Sequence, residues 1–197
     1  MPNPILDPTG RADGHSPAEP AGLQLAPRRA DPRGLRVGLL NNTKHNAALL
    51  LAEIGKLLAA DHSMSVALAE TKPNFAAPAP ADLVERFARE CDVVVTGVGD
   101  CGSCSASAVA DGIVFEHAGL PSAVICSDAF TVTASAMADL RGAPGYRFIV
   151  TEHPVAVLDE EQVRQRAKRL APEVVAMVTG HADPGGRPSA QTQGAAE

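Results

Sequence analysis

The sequence predicts an α/β protein: an open, doubly wound (Rossmann-like), mainly parallel sheet of about five strands. Two observations carry this. From Arg36 to Asp159, short runs rich in Val, Ile and Leu alternate with longer segments whose apolar residues recur at helical spacing. Strands alternating with helices at these lengths imply right-handed βαβ crossovers. Apolar residues make up 45% of the chain and aromatic residues only 3%, so the core has to be built from Ala, Val and Leu in tight helix-on-sheet layers.

Arg36–Leu40 reads as the first strand and Asn46–Ala60 as a helix, with Leu50, Ile54, Leu57 and Leu58 on one side. Ser65–Ala69 is the second strand. Pro80–Glu90 is a helix carrying Leu83, Val84 and Phe87 on one face. Asp92–Thr96 is an uninterrupted apolar run, the pattern of a strand buried on both faces. After a Gly97–Cys104 loop, Ser105–His117 reads as a helix, Ser122–Cys126 as the fourth strand, Thr131–Leu140 as a helix and Tyr146–Val150 as the fifth strand. Asp159 opens the last helix with Gln162 as its capping-box partner, and Pro172 is expected to kink or split that helix.

The flanks read differently. Residues 1–33 hold seven of the sixteen prolines and no periodicity, so a flexible arm is expected there. Residues 181–197 are poor in large apolar side chains and read as a disordered tail. The intervening 34–180 form the catalytic domain of this reading.

Composition narrows the function. A net charge of −6 argues against nucleic acid, because phosphate contacts call for surplus Lys and Arg. The scarcity of aromatic rings removes the stacking platforms that single strands use. No apolar run reaches the roughly 18–20 residues of a membrane span, and the N-terminus lacks the apolar stretch of a secretory signal. No membrane partner and a cytoplasmic location are therefore expected. In that reducing compartment the four cysteines are read as thiols, ligands or catalysts rather than structural disulfides.

In a doubly wound sheet, ligands bind outside the carboxyl ends of the strands. The loops on that rim carry Asn41 to His45, Asn74, Asp100 to Cys104, Ser127 with Asp128, and Glu152 to Pro154. The most informative is Thr96-Gly97-Val98-Gly99-Asp100-Cys101-Gly102-Ser103-Cys104-Ser105. Its glycines permit unusual backbone angles and close approach of a substrate. Cys101 falls just before a helix, where unpaired N–H groups and the positive dipole end favour the thiolate. Cys104, three residues on, is placed to resolve an adduct on Cys101 by forming a disulfide. Ser103 and Ser105 are candidates for capping the helix or holding an anion, as are Gly99 and Gly102 for lining the substrate. Against this stands a Gly-rich turn that merely contains two cysteines.

A structural zinc site needs two more ligands, and Cys91 and Cys126 form no second close pair; they read as core thiols. Gly97-x-Gly99-x-x-Gly102 lacks the acid about twenty residues on that a dinucleotide site wants. No metal and no cofactor are expected. His153 is a candidate to deprotonate Cys101 or to act as a general acid, with a plain turn residue as the alternative. Asn42, Thr43 and Lys44 are candidates for a substrate carboxylate or phosphate at a helix start, or a polar capping turn. Asp100 could orient a proton donor, and Asp128 reads as an N-cap.

At this loop, through Asp111-Gly112 and Glu116 and on to His153-Pro154, the sequence resembles the UGSC family, named for a selenocysteine-Gly-Ser-Cys motif in which many members carry Cys first. The resemblance covers most of residues 35–178 and leaves out the Pro-rich arm. The family is similar to the selenoprotein subunit of glycine, sarcosine and betaine reductases, in which a selenolate displaces an amine from an activated carbon. That likeness implies that the first motif position, here Cys101, is the nucleophile.

Together these readings lead to an expectation. The chain is a cysteine-dependent oxidoreductase or transferase, with Cys101 as nucleophile on a small-molecule substrate and Cys104 as resolving thiol. A thiol reductant or redox protein would be its partner, and a homo-oligomer is possible. The alternative is a non-catalytic subunit of a redox complex that holds a small anion or a metal.

Overall fold

The structure is a computed structural model that describes residues 24–180. It contains β1 (Arg36–Asn41), α1 (Ala47–His62), β2 (Ser65–Thr71), α2 (Ala81–Glu90), β3 (Val93–Gly99) and α3 (Gly102–His117). These are followed by β4 (Ser122–Ser127), a 3-10 turn (Asp128–Phe130), α4 (Thr131–Leu140), β5 (Ile149–Thr151) and α5 (Glu160–Thr179). The five strands form one sheet in the order β2-β1-β3-β4-β5 with every pairing parallel. The expected α/β open sheet is what the chain forms. The order in which strands are added reverses between β1 and β3, so the crevice of the fold opens at the carboxyl ends of those two parallel strands.

Helices cover both faces, as a parallel sheet requires. On one, α1 and α5 pack together through Leu50, Ile54, Leu58, Leu170 and Val174 over Val37, Val95 and Ile125. On the other lie α2, α3 and α4, with Phe87 and Phe115 against Leu40 and Val94, and Val109 and Ile113 against Val124. β3 and β4 are buried along their full length, whereas the edge strand β2 buries only Leu68. Among the described residues, no helix is long and apolar enough to cross a membrane.

Several boundaries differ from expectation. β5 begins at Ile149 rather than Tyr146. Gly145 at φ 76° and the Tyr146 N–H bond to Ala143 O form a turn, and Tyr146 buries its hydroxyl 2.9 Å from Ser122 Oγ. α5 runs unbroken through Pro172. The proline removes the donor for the carbonyl of exposed Lys168, where water can replace it. Val163, Ala167, Leu170 and Val174 keep both halves on the sheet. The Asp159–Gln162 capping box is formed.

The arm departs most. Its residues 1–23, like the 181–197 tail, lie outside the described residues, but within 24–33 Ala26 and Arg28 dock on the domain. The Ala26 N–H donates to Glu116 Oε2 at 2.7 Å, Arg28 pairs with Glu116 Oε1 at 2.7 Å, and Arg28 Nε donates to Met177 O at 3.0 Å. The Glu116 side chain is fully buried and also accepts from the Ser122 N–H at 2.9 Å. A buried carboxylate needs such partners, so polar anchoring holds a stretch whose low hydrophobicity gave no sign of it.

Candidate functional site

β3 ends at Gly99 and α3 begins at Gly102, leaving Asp100 and Cys101 between them. The helix starts three residues earlier than the apolar pattern indicates. Cys101 is the N-cap, and its sulfur accepts the Cys104 N–H at 3.3 Å, the place Ser or Asp usually takes. Cys101 and Cys104 are bonded as a disulfide with Cα atoms 5.2 Å apart. Cys101 is half-buried and Ser103 exposed, while Cys104 is 1% exposed. Reagents therefore reach the pair from the Cys101 side.

Asp100 organises the neighbouring loops. Its side chain is 1% exposed and turns toward the segment after β5. It accepts from the Val155 N–H at 3.1 Å and the Ala156 N–H at 3.0 Å. It also accepts from His153 Nδ1 at 2.9 Å. A carboxylate only accepts, so the proton sits on Nδ1 and Nε2 is left for exchange with the site. Ser127 Oγ lies 3.2 Å from the same Nδ1 and donates to Gly99 O. Phe130 meets the imidazole edge-on, with ring centroids 5.3 Å apart.

Asp128, read as an N-cap, makes no cap bond and accepts the His153 N–H at 3.0 Å. The expected hydrogen bond from His153 to Cys101 is not formed. The ring is drawn to the buried carboxylate, and the sulfur is already bonded to Cys104. The Asp100–His153 couple was not foreseen as a pair, although both residues stood out at strand ends.

The loop after β1 is drawn into the same rim. Asn46 Nδ2 donates to Val155 O and Leu158 O at 3.0 and 2.8 Å, and His45 Nδ1 donates to Ala156 O at 2.6 Å. Thr43 and Asn46 both sit in the left-handed region, at φ 67° and 66°. For a β-branched residue such as Thr43 this is a strained conformation of the kind that collects at working sites.

Three of the candidate substrate contacts have scaffold roles in the structure. Asn42 is fully buried and spends its amide on Val98, accepting from its N–H at 3.0 Å and donating to its carbonyl at 2.9 Å. It therefore braces the end of β3. Gly99 is buried, and a Cβ there would lie 2.6 Å from Cys126 Sγ and 2.8 Å from Ser105 Cα, so its smallness serves packing of α3 on the sheet. Ser105 is buried with its hydroxyl donating to Cys101 O at 2.7 Å. Thr43, Lys44, Gly102 and Ser103 keep open positions. Lys44 has no side-chain partner among the described residues, a Cβ on Gly102 would meet nothing within 4 Å, and Ser103 Oγ lies 3.7 Å from Cys101 Sγ. Asn74 closes its own turn by accepting the Ala76 N–H at 2.8 Å.

The other two cysteines are core thiols, and burial pushes Cys91 up to about 11 and Cys126 up to about 12. A second buried cluster escaped the sequence reading. Lys72 Nζ bonds Asp111 Oδ2 at 2.5 Å and Ser107 Oγ at 2.7 Å, with both charged side chains fully buried. Desolvation raises the Asp111 carboxyl above its ordinary range despite the ammonium beside it. Its signal was a lone lysine at the end of an edge strand, indistinguishable in sequence from a solvated one. Among the described residues, no group of three or more His, Cys, Asp or Glu could hold a metal ion.

No curated protein and no solved structure matches the chain. The family model of the UGSC family matches residues 4–180. It takes in most of the Pro-rich arm, which the sequence reading had left out, along with the cysteine loop and the Asp100–His153 rim. By that match over most of its length, the chain belongs to the UGSC family.

Proposed function

We propose that the chain is a cysteine-dependent enzyme acting on a small molecule, with Cys101 as nucleophile and Cys104 as resolving thiol. The observation that carries this reading is the N-cap itself. The sulfur of Cys101 accepts a helix N–H and lies within bonding reach of Cys104. Amide donors and the helix dipole there stabilise a thiolate. In the reduced protein the Cys101 thiolate displaces a leaving group X from R–X, forming a Cys101–R thioether or mixed sulfide. Nε2 of the Asp100-held His153 first takes the proton of the Cys101 thiol and then hands it to the departing X. Cys104, as thiolate, then attacks the Cys101 sulfur. R leaves with the electron pair and is protonated, and the disulfide remains. The sum is R–X plus two thiols giving R–H, HX and a disulfide. An external dithiol reductant returns the pair to its starting state.

The test is intact-mass analysis of the reduced protein with an alkylating electrophile and with candidate substrates. Cys101→Ser should abolish turnover, and Cys104→Ser should trap a covalent adduct on Cys101. An adduct on Cys104 in the Cys101→Ser protein reverses the roles. Cys101 labelling no faster than a free thiol favours a non-catalytic, anion-holding subunit instead.

A further inference from the structure

We propose that Arg166, on α5, is the positioning residue for the Asp100–His153 couple. The proposal rests on the reading of His153 given above. Arg164 and Arg169, on the same helix, are 42% and 59% exposed at their side chains. Arg166 is 7% exposed. Its Nη1 donates to Thr151 Oγ1 at 2.8 Å and to Glu152 O at 2.6 Å, and its Nη2 to Glu152 Oε2 at 3.0 Å. Thr151 ends β5 and Glu152 directly precedes His153. One guanidinium thus fixes the hydroxyl, carbonyl and carboxylate of the two residues from which the histidine springs.

β5 is only three residues long and pairs on one edge alone, so its own ladder does little to set where it ends. The clamp supplies what the ladder lacks. Beyond His153, the Val155 and Ala156 amides must meet Asp100, and Asp128 must meet the His153 N–H. All of these bonds depend on where the chain leaves β5.

Burying the cation is costly. Desolvation and neighbouring Arg169 both lower its pKa, and Nε is buried without a partner among the described residues. Packing alone would be served by an apolar side chain, as at Val163, Ala167 and Leu170 on the same helix. The fork geometry of guanidinium, with paired donors on fixed vectors, is what lysine and apolar residues lack.

The experiment reads the imidazole tautomer of His153 by long-range 15N–1H spectra of the full chain, oxidised and reduced, with His153→Gln supplying the assignment. The native protein should show the Nδ1–H form. Arg166→Met should convert at least half of the population to Nε2–H, with Arg166→Lys intermediate. Leu170→Ala, a cavity in the same helix, should lower the melting temperature and leave the tautomer unchanged. A native tautomer in Arg166→Met, or an equal shift in Leu170→Ala, overturns the proposal. Should Arg166→Met not fold, Thr151→Val removes one acceptor and carries the same comparison. The readout does not need Cys101 to react. An unmoved tautomer with a reactive Cys101 counts against Arg166 alone, and an inert Cys101 with the expected tautomers counts against the enzyme alone.

Discussion

Cys91 and Cys126 lie under helices, while Cys101 and Cys104 stand where a helix begins. The core pair is 3% and 0% exposed, and burial is the main cause that pushes those thiols up to about 11 and about 12. Cys126 even lies close to Cys101's own loop, since a Cβ on Gly99 would meet its sulfur at 2.6 Å. What separates the pairs is therefore not distance from the rim. The Cys101 sulfur receives a backbone N–H at a half-exposed helix start and has a bonded partner three residues on; the Cys126 sulfur also receives one, from Gly99, but its burial outweighs it. With a backbone N–H at both sulfurs, burial and the neighbouring thiol are what set the two apart.

The largest expected effect tests that contrast directly. After reduction, iodoacetamide at pH 7 should label Cys101 at least about two orders of magnitude faster than Cys91 or Cys126 in the native protein. That factor is the difference in thiolate fraction between an ordinary thiol near 8.5 and the buried ones. Mass mapping of the labelled peptides checks it, and comparable rates would erase the distinction.

The next effect asks how far the rim depends on Asp100. Asp100→Ala strips an acceptor from the buried Val155 N–H, from the Ala156 N–H and from His153. At roughly 1–3 kcal/mol per donor left unpaired, a loss of about 3 kcal/mol is expected. Denaturant unfolding at constant slope measures it. A loss below about 1 kcal/mol would mean that the loop after β5 is held by its other contacts.

The smallest effect concerns the core pair. Burial keeps Cys126 protonated in the folded protein, raising it from an ordinary 9.0 to about 12. As pH rises past 9 the unfolded chain loses this proton first, so the folded state holds more protons and stability falls with pH. The contribution is complete below 9 and is lost progressively toward 12. Between pH 9 and 10.5 the native protein should lose stability faster than Cys126→Ala, by up to about 1.4 kcal/mol per pH unit. Parallel slopes would show that this thiol titrates as if exposed.

The sheet was legible in the sequence because β1, β3 and β4 are nearly continuous apolar runs and the helices between them have clear spacing. The cysteine loop was legible because its glycines and cysteines fall where a strand gives way to a helix. What stayed hidden are pairings between distant residues that no periodicity records. Asp100 finds His153 53 positions away, Arg28 finds Glu116 across 88, and Lys72 finds Asp111 across 39. Each is a buried charge, and a charged letter in a sequence reads as solvent-facing by default. The scaffold contacts of Asn42, Gly99 and Ser105 stayed hidden for a related reason. A polar or small residue on the rim serves scaffold and ligand equally well in one dimension, and only its neighbours decide between them.

Helix α3 buries eleven of its sixteen residues, and solvent reaches it mainly at its two ends, Gly102–Ser103 and His117. It behaves as a post set in concrete with a hinged fitting at its top. On the proposed chemistry, any motion of the cysteine pair falls to Gly102 and Ser103, because the residues packed below them cannot yield without disturbing the cores on that side of the sheet. Chemistry and scaffold are thereby decoupled. Of the rim residues, Thr43, Lys44, Gly102 and Ser103 keep open positions, so they can vary while the post beneath the sulfur stays where it is.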